Sequence, residues 1–292
     1  MAETMRIWIA TLSAPAILFV LTSCSSVTPA AKRPADIPLD KSIGRGMILT
    51  TVVRTEDGRE FQCAVDTGSP TTSLPAALER TLGMQLGAGT MSTLDSAANQ
   101  PIRIFAAPKL FLGNTRLVTG KRVDTGGGSM AILGMDCLQH YCIQLDFAAG
   151  RMRFLDPEHL DTTELGEAFP LVRSRYAMIR HASLFGDANE KLLIDTGWPF
   201  DGCLTPGLFE RAEQDHNGKP IPYFVDGIPK GNAKDMAEFA ECNWDGTKYT
   251  DVVIGKGPLN LVGMRFLSRH LVTFNFPKGM MYLKRTTTEP LK

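Results

Sequence analysis

The chain has 292 residues, 43% of them hydrophobic, and its 31 basic residues are balanced by 31 acidic ones. This composition excludes an intrinsically disordered chain. The zero net charge argues against long-range attraction to nucleic acid, which is therefore not an expected partner. The histidines and cysteines follow no metal-ligand spacing, and we predict no metal and no other cofactor.

The first 24 residues have the features of a targeting segment. Ile7–Leu21 is an almost uninterrupted apolar run after Arg6, and about fifteen residues is short for a membrane-spanning helix. The run ends in a segment that resembles a bacterial lipobox, which implies that Cys24 is acylated. The protein would then be a lipoprotein of the bacterial cell envelope, and Ser25 resembles the sorting signal for the periplasm-facing outer membrane. An uncleaved anchor or an ordinary secretory signal is the alternative.

The following residues predict a tether and then a β-hairpin. Residues 25–46 contain three prolines and several alanines, which is typical of a flexible tether. Met47–Val53 is rich in β-branched residues, and with Phe61–Val65 it flanks a glycine-containing turn. The same pattern recurs at Ala177–Leu184 and Lys191–Ile194.

Each half of the chain closes with a helix-sized segment and a second hairpin. The strands of these hairpins are predicted at 143–147 with 152–155, and at 271–276 with 281–283. Residues 156–169 are polar and predict a linker. We therefore expect an all-β protein with few helices, with an N-terminal lobe at residues 47–160 and a C-terminal lobe at residues 161–292.

One short motif occurs twice with the same surroundings. Val65–Pro70 reads VDTGSP and Ile194–Pro199 reads IDTGWP. Each copy is followed 68 residues after its Asp by a glycine that two aliphatic residues precede, Gly134 and Gly263. The two copies are offset by 129 residues throughout, which indicates an internal duplication.

A third Asp-Thr-Gly occurs at residues 124–126. It has no matching glycine downstream, and the 129-residue offset places Val253 opposite Asp124. We therefore interpret Asp124 as a turn residue ahead of the strand at Ile132.

The two surviving motifs resemble those of the aspartic proteases, the clan that contains pepsins and retroviral proteases. In that clan a strand ends in Asp-Thr-Gly, and two aliphatic residues and a glycine follow some seventy residues later. Each half here has the size of one retropepsin subunit, so Met47 to about Lys284 resembles two fused retropepsin-like units. The resemblance implies a bilobal acid-protease fold, made of two β-barrel lobes with an active-site cleft between them.

The resemblance also implies a role for each motif residue. Asp66 and Asp195 would form the catalytic dyad, and each threonine would brace the two loops. The supporting residues that it implies are Thr67, Gly68, Ser69, Gly134, Thr196, Gly197 and Gly263. Two adjacent carboxyl groups share one proton, so that one can activate water while the other polarises a peptide carbonyl. This predicts a monomeric aspartic endopeptidase whose partner is a peptide or protein substrate.

Some positions depart from the family pattern. Trp198 stands where a small residue usually follows the second motif, and it either lines a substrate pocket or fills the cleft of an inactive half. Thr72 is matched by Asp201, and Asp136 by Arg265. Candidate flaps lie within residues 91–105 and 220–233, and Tyr223 of the second is a candidate substrate contact.

Several alternatives stay open on the sequence alone. The chain could be a non-catalytic peptide-binding or scaffolding lipoprotein with a degenerate aspartic-protease fold, which Trp198 favours. The same dyad could also hydrolyse something other than protein. Among the cysteines, Cys63 is expected in the core, and a Cys203–Cys242 disulfide is left open.

Overall fold

A computed structural model describes residues 31–93, 96–126, 130–172, 174–185, 191–222, 224–225, 228–229 and 235–291. These residues are mostly β-structure, as the sequence predicts, and none of their helices is long and apolar enough to cross a membrane. The predicted lipidation site Cys24 and the candidate contact Tyr223 lie outside the described residues.

The N-terminal half contains the two predicted hairpins and further strands before and between them. In chain order the strands are β1 (Ile37–Pro38), β2 (Thr50–Thr55), β3 (Glu60–Val65), β4 (Ser73–Leu74), β5 (Gln85–Thr93), β6 (Ser96–Ala106), β7 (Leu110–Leu112), β8 (Thr115–Arg116), β9 (Arg122–Thr125), β10 (Ala131–Leu133), β11 (Cys142–Asp146) and β12 (Arg151–Leu155). The predicted hairpins are β2–β3 and β11–β12.

The strands of the C-terminal half follow a similar course. They are β13 (Glu167–Pro170), β14 (Met178–Arg180), β15 (Lys191–Ile194), β16 (Gly202–Leu204), β17 (Lys219–Pro220), β18 (Phe224–Val225), β19 (Ile228–Pro229), β20 (Met236–Trp244), β21 (Thr247–Lys256), β22 (Leu261–Val262), β23 (His270–Asn275) and β24 (Met280–Arg285).

The helices are short. They are α1 (Met135–Leu138), α2 (Pro206–Asp215), α3 (Met264–Leu267) and the 3-10 helices Ala76–Thr81 and Phe276–Lys278. The segments predicted to be helix-sized are α1 and α3, which each follow the glycine of an aliphatic-aliphatic-Gly motif. The longer α2 was not predicted, although Pro206 at its first position is a common start signal.

The described strands form three large sheets and the small β18–β19 hairpin. The N-terminal sheet has the order β5-β6-β9-β4-β10-β3-β2-β7-β8, and the C-terminal sheet has the order β14-β15-β22-β16-β21-β20-β17. The shared sheet has the order β1-β12-β11-β23-β24-β13 and combines strands of both halves.

The prediction of closed β-barrels is wrong for the described strands, since none of the three sheets closes on itself. The physical reason lies in the final hairpin of each half. Strand β11 pairs with β23 of the other half, with Gln144 opposite Thr273, instead of completing a barrel within its own half. Gln144 Nε2 donates to Thr273 Oγ1 at 3.0 Å, and both residues are buried.

Two segments expected to be irregular are part of the packed structure. The predicted tether is wrong for its final part, because β1 pairs with β12 and the side chains of Leu39 and Ile43 are buried. The predicted linker likewise ends in β13, which pairs with β24. In both cases a few apolar residues lie against an existing edge of the shared sheet.

The central strands carry continuous apolar runs. Strand β3 lies between β2 and β10, and Cys63, Ala64 and Val65 are all buried, as expected for a strand covered on both faces. Cys63 is therefore a core residue, as predicted. Cys203 and Cys242 are buried thiols and do not form the disulfide that the sequence left open.

Candidate active site

The two Asp-Thr-Gly motifs begin at the ends of equivalent central strands. Strand β3 runs parallel to β10, with Val65 beside Leu133, and β15 runs parallel to β22, with Ile194 beside Val262. The Asp66 N–H donates to the Leu133 carbonyl at 3.0 Å, and the Asp195 N–H donates to the Val262 carbonyl at 2.9 Å. Each aspartate is therefore held in place by the strand that ends in its matching aliphatic pair.

The loops that follow bring the two carboxyl groups together. Gly68 N–H donates to Asp66 Oδ1 at 2.7 Å, and Gly197 N–H donates to Asp195 Oδ1 at 2.8 Å. The carboxyl groups of Asp66 and Asp195 also hydrogen-bond to each other. Residues separated by 129 positions in the sequence thus meet at one point.

The environment favours a protonated pair. Burial raises the pKa of Asp66, while hydrogen bonds from Asp195 and from the N–H groups of Gly68 and Ser69 oppose this shift. Burial raises the pKa of Asp195 well above its usual range, and the charge of Asp66 raises it further. Asp195 is 5% exposed, whereas Asp66 is partly exposed. The pair therefore holds a proton to a higher pH than an isolated aspartate does.

The two threonines brace the loops against each other. Thr67 N–H donates to Thr196 Oγ1, and Thr196 N–H donates to Thr67 Oγ1, each at 3.1 Å. The Thr67 hydroxyl donates to the Ile194 carbonyl at 2.6 Å, and the Thr196 hydroxyl donates to the Val65 carbonyl at 2.5 Å. Both threonines are buried, so this reciprocal network is shielded from water.

Gly134 and Gly263 allow each loop to pass close to its neighbouring strand. A Cβ atom at residue 134 would lie 2.4 Å from the Thr71 carbonyl oxygen, and one at residue 263 would lie 2.3 Å from the Phe200 carbonyl oxygen. Real Cβ atoms do not approach backbone so closely, so both positions require glycine. These are the two glycines that the aspartic-protease resemblance implies as supporting residues.

The aspartic-protease resemblance implies that the Ser69 hydroxyl could hydrogen-bond the outer carboxyl oxygen of Asp66, but it bonds elsewhere in the structure. The hydroxyl donates to the Thr71 carbonyl at 2.9 Å and stabilises the loop, whereas the Ser69 backbone N–H is the group that acts on Asp66.

Trp198 is a packing residue in the structure. Its side chain packs with Leu193, Cys203 and Leu261, its Nε1 donates to the Gly202 carbonyl at 3.0 Å, and only 8% of the residue is exposed. Gly255 leaves room for the indole, because a Cβ atom there would lie 2.9 Å from Trp198 Cζ2. Packing within the C-terminal half is thus the role that the structure shows for Trp198.

The positions that differ between the halves form equivalent pairs. The Thr72 hydroxyl donates to Asp136 Oδ1 at 2.7 Å. At the equivalent place Arg265 donates to the carboxylate of Asp201. Both halves therefore have a hydrogen bond between these two positions, but the donor and the acceptor are exchanged.

Asp201 also binds a second arginine, Arg269. Arg269 Nη2 donates to Asp201 Oδ1 at 2.6 Å, and both side chains are fully buried. Arg269 also donates to the Thr250 and Thr288 carbonyls at 2.7 and 2.9 Å. Sequence reasoning missed Arg269, and its only signal was a charge between apolar segments.

Two other predictions concern the surroundings of the site. Asp124 lies within β9 and is not a turn residue, because β9 is paired on both sides, by β6 and β4. The flap candidate at residues 91–105 falls within the β5–β6 hairpin, so the hairpin is confirmed while its role as a flap stays a prediction.

Comparisons with known proteins do not assign this site to a family. The chain matches no protein-family model and no curated protein. The chemistry of the two carboxyl groups is therefore the basis on which a function is assigned.

Proposed function

We propose that the protein is an aspartic endopeptidase that hydrolyses peptide bonds with the Asp66–Asp195 pair. The observation that carries the proposal is the close contact of two carboxyl groups from equivalent loops, of which Asp195 is buried and Asp66 is partly exposed. A purely structural loop has no need for two such groups, because burying adjacent acids is unfavourable unless they share a proton. Perturbed carboxyl pairs of this kind are typical of acid–base catalysis.

The pair would act on water and substrate together. The more exposed Asp66 takes a proton from water, whose oxygen attacks the carbonyl carbon, while Asp195 donates its proton to the carbonyl oxygen. The tetrahedral intermediate collapses when Asp66 protonates the departing nitrogen and Asp195 recovers its proton, which breaks the C–N bond. General acid–base assistance of this kind contributes roughly 10²–10⁴ in rate.

The rest of the molecule fits a bilobal acid-protease arrangement. The N-terminal and C-terminal sheets each supply one aspartate, and the shared sheet joins them. An extended peptide would lie across the two loops and pair with nearby strand edges. The β5–β6 hairpin is the element we assign to covering it.

We also propose that Cys24 is lipidated and holds the protein at the periplasmic face of a bacterial outer membrane. The packed structure includes β1, which begins at Ile37, and residues 25–36 can span at most about 40 Å. Replacement of Cys24 by Ala should release the protein from the membrane fraction, and mass spectrometry of the N-terminal peptide would detect the acyl chains. A native N-terminal peptide without acylation would contradict this assignment.

The alternative of a non-catalytic binding lipoprotein depended on Trp198 in a blocked cleft. The Trp198 side chain packs against Leu193, Cys203 and Leu261 of the C-terminal sheet, which supports a packing role for it and not a blocked cleft. The endopeptidase is therefore the function we favour.

The test is cleavage of a diverse unfolded-peptide mixture by a soluble form that begins at Ser25, from acidic to neutral pH. Asp66→Asn and Asp195→Asn should each abolish cleavage, whereas Asp57→Asn, at an exposed turn, should not. Absence of cleavage by the folded wild-type protein at every pH would contradict the proposal. A wild-type protein that binds peptides but cleaves none, with binding retained in both variants, would favour the binding lipoprotein.

A further inference from the structure

The third Asp-Thr-Gly, which has no place in the dyad, occupies a particular position in the N-terminal sheet. Strand β9 lies between β6 and β4, with Asp124 opposite Ile104 on one side and Ser73 on the other. Strand β6 belongs to the hairpin assigned to covering substrate, and β4 follows the loop that carries Asp66. The motif therefore lies between these two elements.

Asp124 binds the end of the Asp66 loop. Its Oδ2 accepts a hydrogen bond from the Thr71 hydroxyl at 2.8 Å, and its N–H donates to the Thr72 carbonyl at 3.3 Å. The Thr71 carbonyl in turn accepts a hydrogen bond from the Ser69 hydroxyl at 2.9 Å. Thr71 therefore links Asp124 to the turn that follows Asp66.

Thr125 and Gly126 bind the hairpin side. The buried Thr125 hydroxyl donates to Glu79 Oε1 at 2.6 Å, and Glu79 forms an ion pair of 3.0 Å with Arg103 of β6. Gly126 has a φ of +111°, and a Cβ atom there would lie 2.8 Å from the Pro101 carbonyl oxygen of the same strand. Asp124, Thr125 and Gly126 together thus link the Asp66 loop to strand β6.

The C-terminal half provides an internal comparison. The positions equivalent to Asp124, Thr125 and Gly126 are Val253, Ile254 and Gly255, and Gly255 there accommodates the Trp198 indole. An apolar pair is therefore sufficient to build the equivalent strand. Asp124 and its partner Thr71 are partly buried, whereas Thr125 is fully buried and its hydroxyl is bonded to Glu79. Since a buried polar group is unfavourable unless it is hydrogen-bonded, the polar residues in β9 point to a task that the apolar copy lacks.

We propose that Asp124 is a positioning residue for the dyad. Through Thr71 it holds the loop of Asp66, and through the adjacent Thr125 and Gly126 it keeps that loop in a defined place relative to the β5–β6 hairpin. Displacement of Thr71 would move the Asp66 carboxyl relative to a peptide held by the hairpin. This role rests on the proposed endopeptidase function, but the connection itself is a property of the folded chain.

The kinetic test compares Asp124→Ala, Thr71→Val and the double variant with Asp124→Asn, whose amide oxygen can still accept the Thr71 hydroxyl. Loss of positioning should lower kcat about 10- to 100-fold in Asp124→Ala and Thr71→Val, with KM unchanged. The double variant should be no worse than either single variant, because both remove the same bond. Asp124→Asn should retain most of the activity.

Amide hydrogen exchange of the same variants tests the connection without requiring cleavage. The amides of residues 67–72 and of β6 should exchange faster in Asp124→Ala than in the wild type or Asp124→Asn. This distinguishes failure of the connection from failure of the endopeptidase proposal, because amide exchange in the loop can be measured even in a protein that cleaves no peptide.

Several results would overturn the assignment. Unchanged exchange in Asp124→Ala would show that no such connection exists. A raised KM with unchanged kcat would make Asp124 a substrate contact instead, and Asp124→Asn as defective as Asp124→Ala would mean that the negative charge, and not the Thr71 bond, is what matters.

Discussion

Gly68 lies so close to the carboxyl group of Asp195 that a Cβ atom at residue 68 would be 2.5 Å from Asp195 Cγ. The relationship is reciprocal, because a Cβ atom at Gly197 would be 2.7 Å from Asp66 Cγ. Each loop therefore lacks a side chain at the point where the carboxyl group of the other loop arrives. The close approach of the two aspartates depends on both glycines.

Gly68→Ala and Gly197→Ala should each separate the carboxyl groups. A displacement near 1 Å in a catalytic site can lower the rate about 100-fold, and we expect at least this loss of peptide cleavage. Gly207→Ala is the matched control, since a Cβ atom there meets no other group and the stability should change by no more than about 1 kcal/mol. Full activity in Gly68→Ala would contradict the observed contact.

Asp201 should be far more important for stability than its counterpart Thr72. Asp201→Ala leaves the buried Arg269 without its carboxylate, which typically costs about 3–5 kcal/mol. Thr72→Val removes a neutral donor to Asp136, and the loss should be about 0.5–1.5 kcal/mol. Urea unfolding of both variants measures the difference. Equal losses would argue against a buried ion pair at Asp201.

Trp198 should affect folding and leave specificity unchanged. Trp198→Ala removes a large buried side chain and should lower the free energy of unfolding by about 3–5 kcal/mol. Trp198→Phe should lose less, since it keeps the apolar packing and gives up the bond to Gly202. The set of cleaved peptide bonds should be the same for Trp198→Phe and the wild type. A changed preference would return Trp198 to the substrate site.

The carboxyl group of Glu167 should make stability depend on pH. Partial desolvation of its carboxyl group, with a hydrogen bond to Asp245, raises the pKa of Glu167 to about 7, from 4.5 as the ordinary value. The two acids line a cavity of about 350 Å³ that Tyr249, His270, Lys284 and Arg285 also face.

Because the folded state keeps this proton longer than the unfolded state, its stabilising effect is complete below pH 4.5 and is lost as the pH rises to about 7. Glu167 is exposed, so the loss should be at most about 1 kcal/mol. Glu167→Gln should flatten the pH dependence of Tm in this interval, and an unaltered dependence would exclude Glu167 as its source.

The 129-residue repeat was sufficient to predict the central hairpins and the short helices, and the resemblance to aspartic proteases implied that the two motifs meet. Local patterns set these features, since β3 and β15 have the same apolar runs and the same downstream glycines. The sequence did not indicate that β11 would pair with β23, because both the barrel and the shared sheet bury the same apolar faces.

The remaining errors concern side chains whose surroundings come from distant segments. Trp198 could be placed only once Gly255 and Gly263 were known to make room for its indole. Asp124 looked like a turn residue because Gly126 follows it, whereas its surroundings are set by β4 and β6.

The central claim is that Asp66 and Asp195 share a proton, and carbon-13 NMR of the aspartate side-chain carboxyl groups tests it most directly. Both resonances should follow the same two titration steps, one of them well above the usual aspartate value of about 3.9. In Asp195→Asn the Asp66 resonance should show a single step. Independent titration of both groups near the usual value in the wild-type protein would contradict the shared proton and, with it, the proposed chemistry.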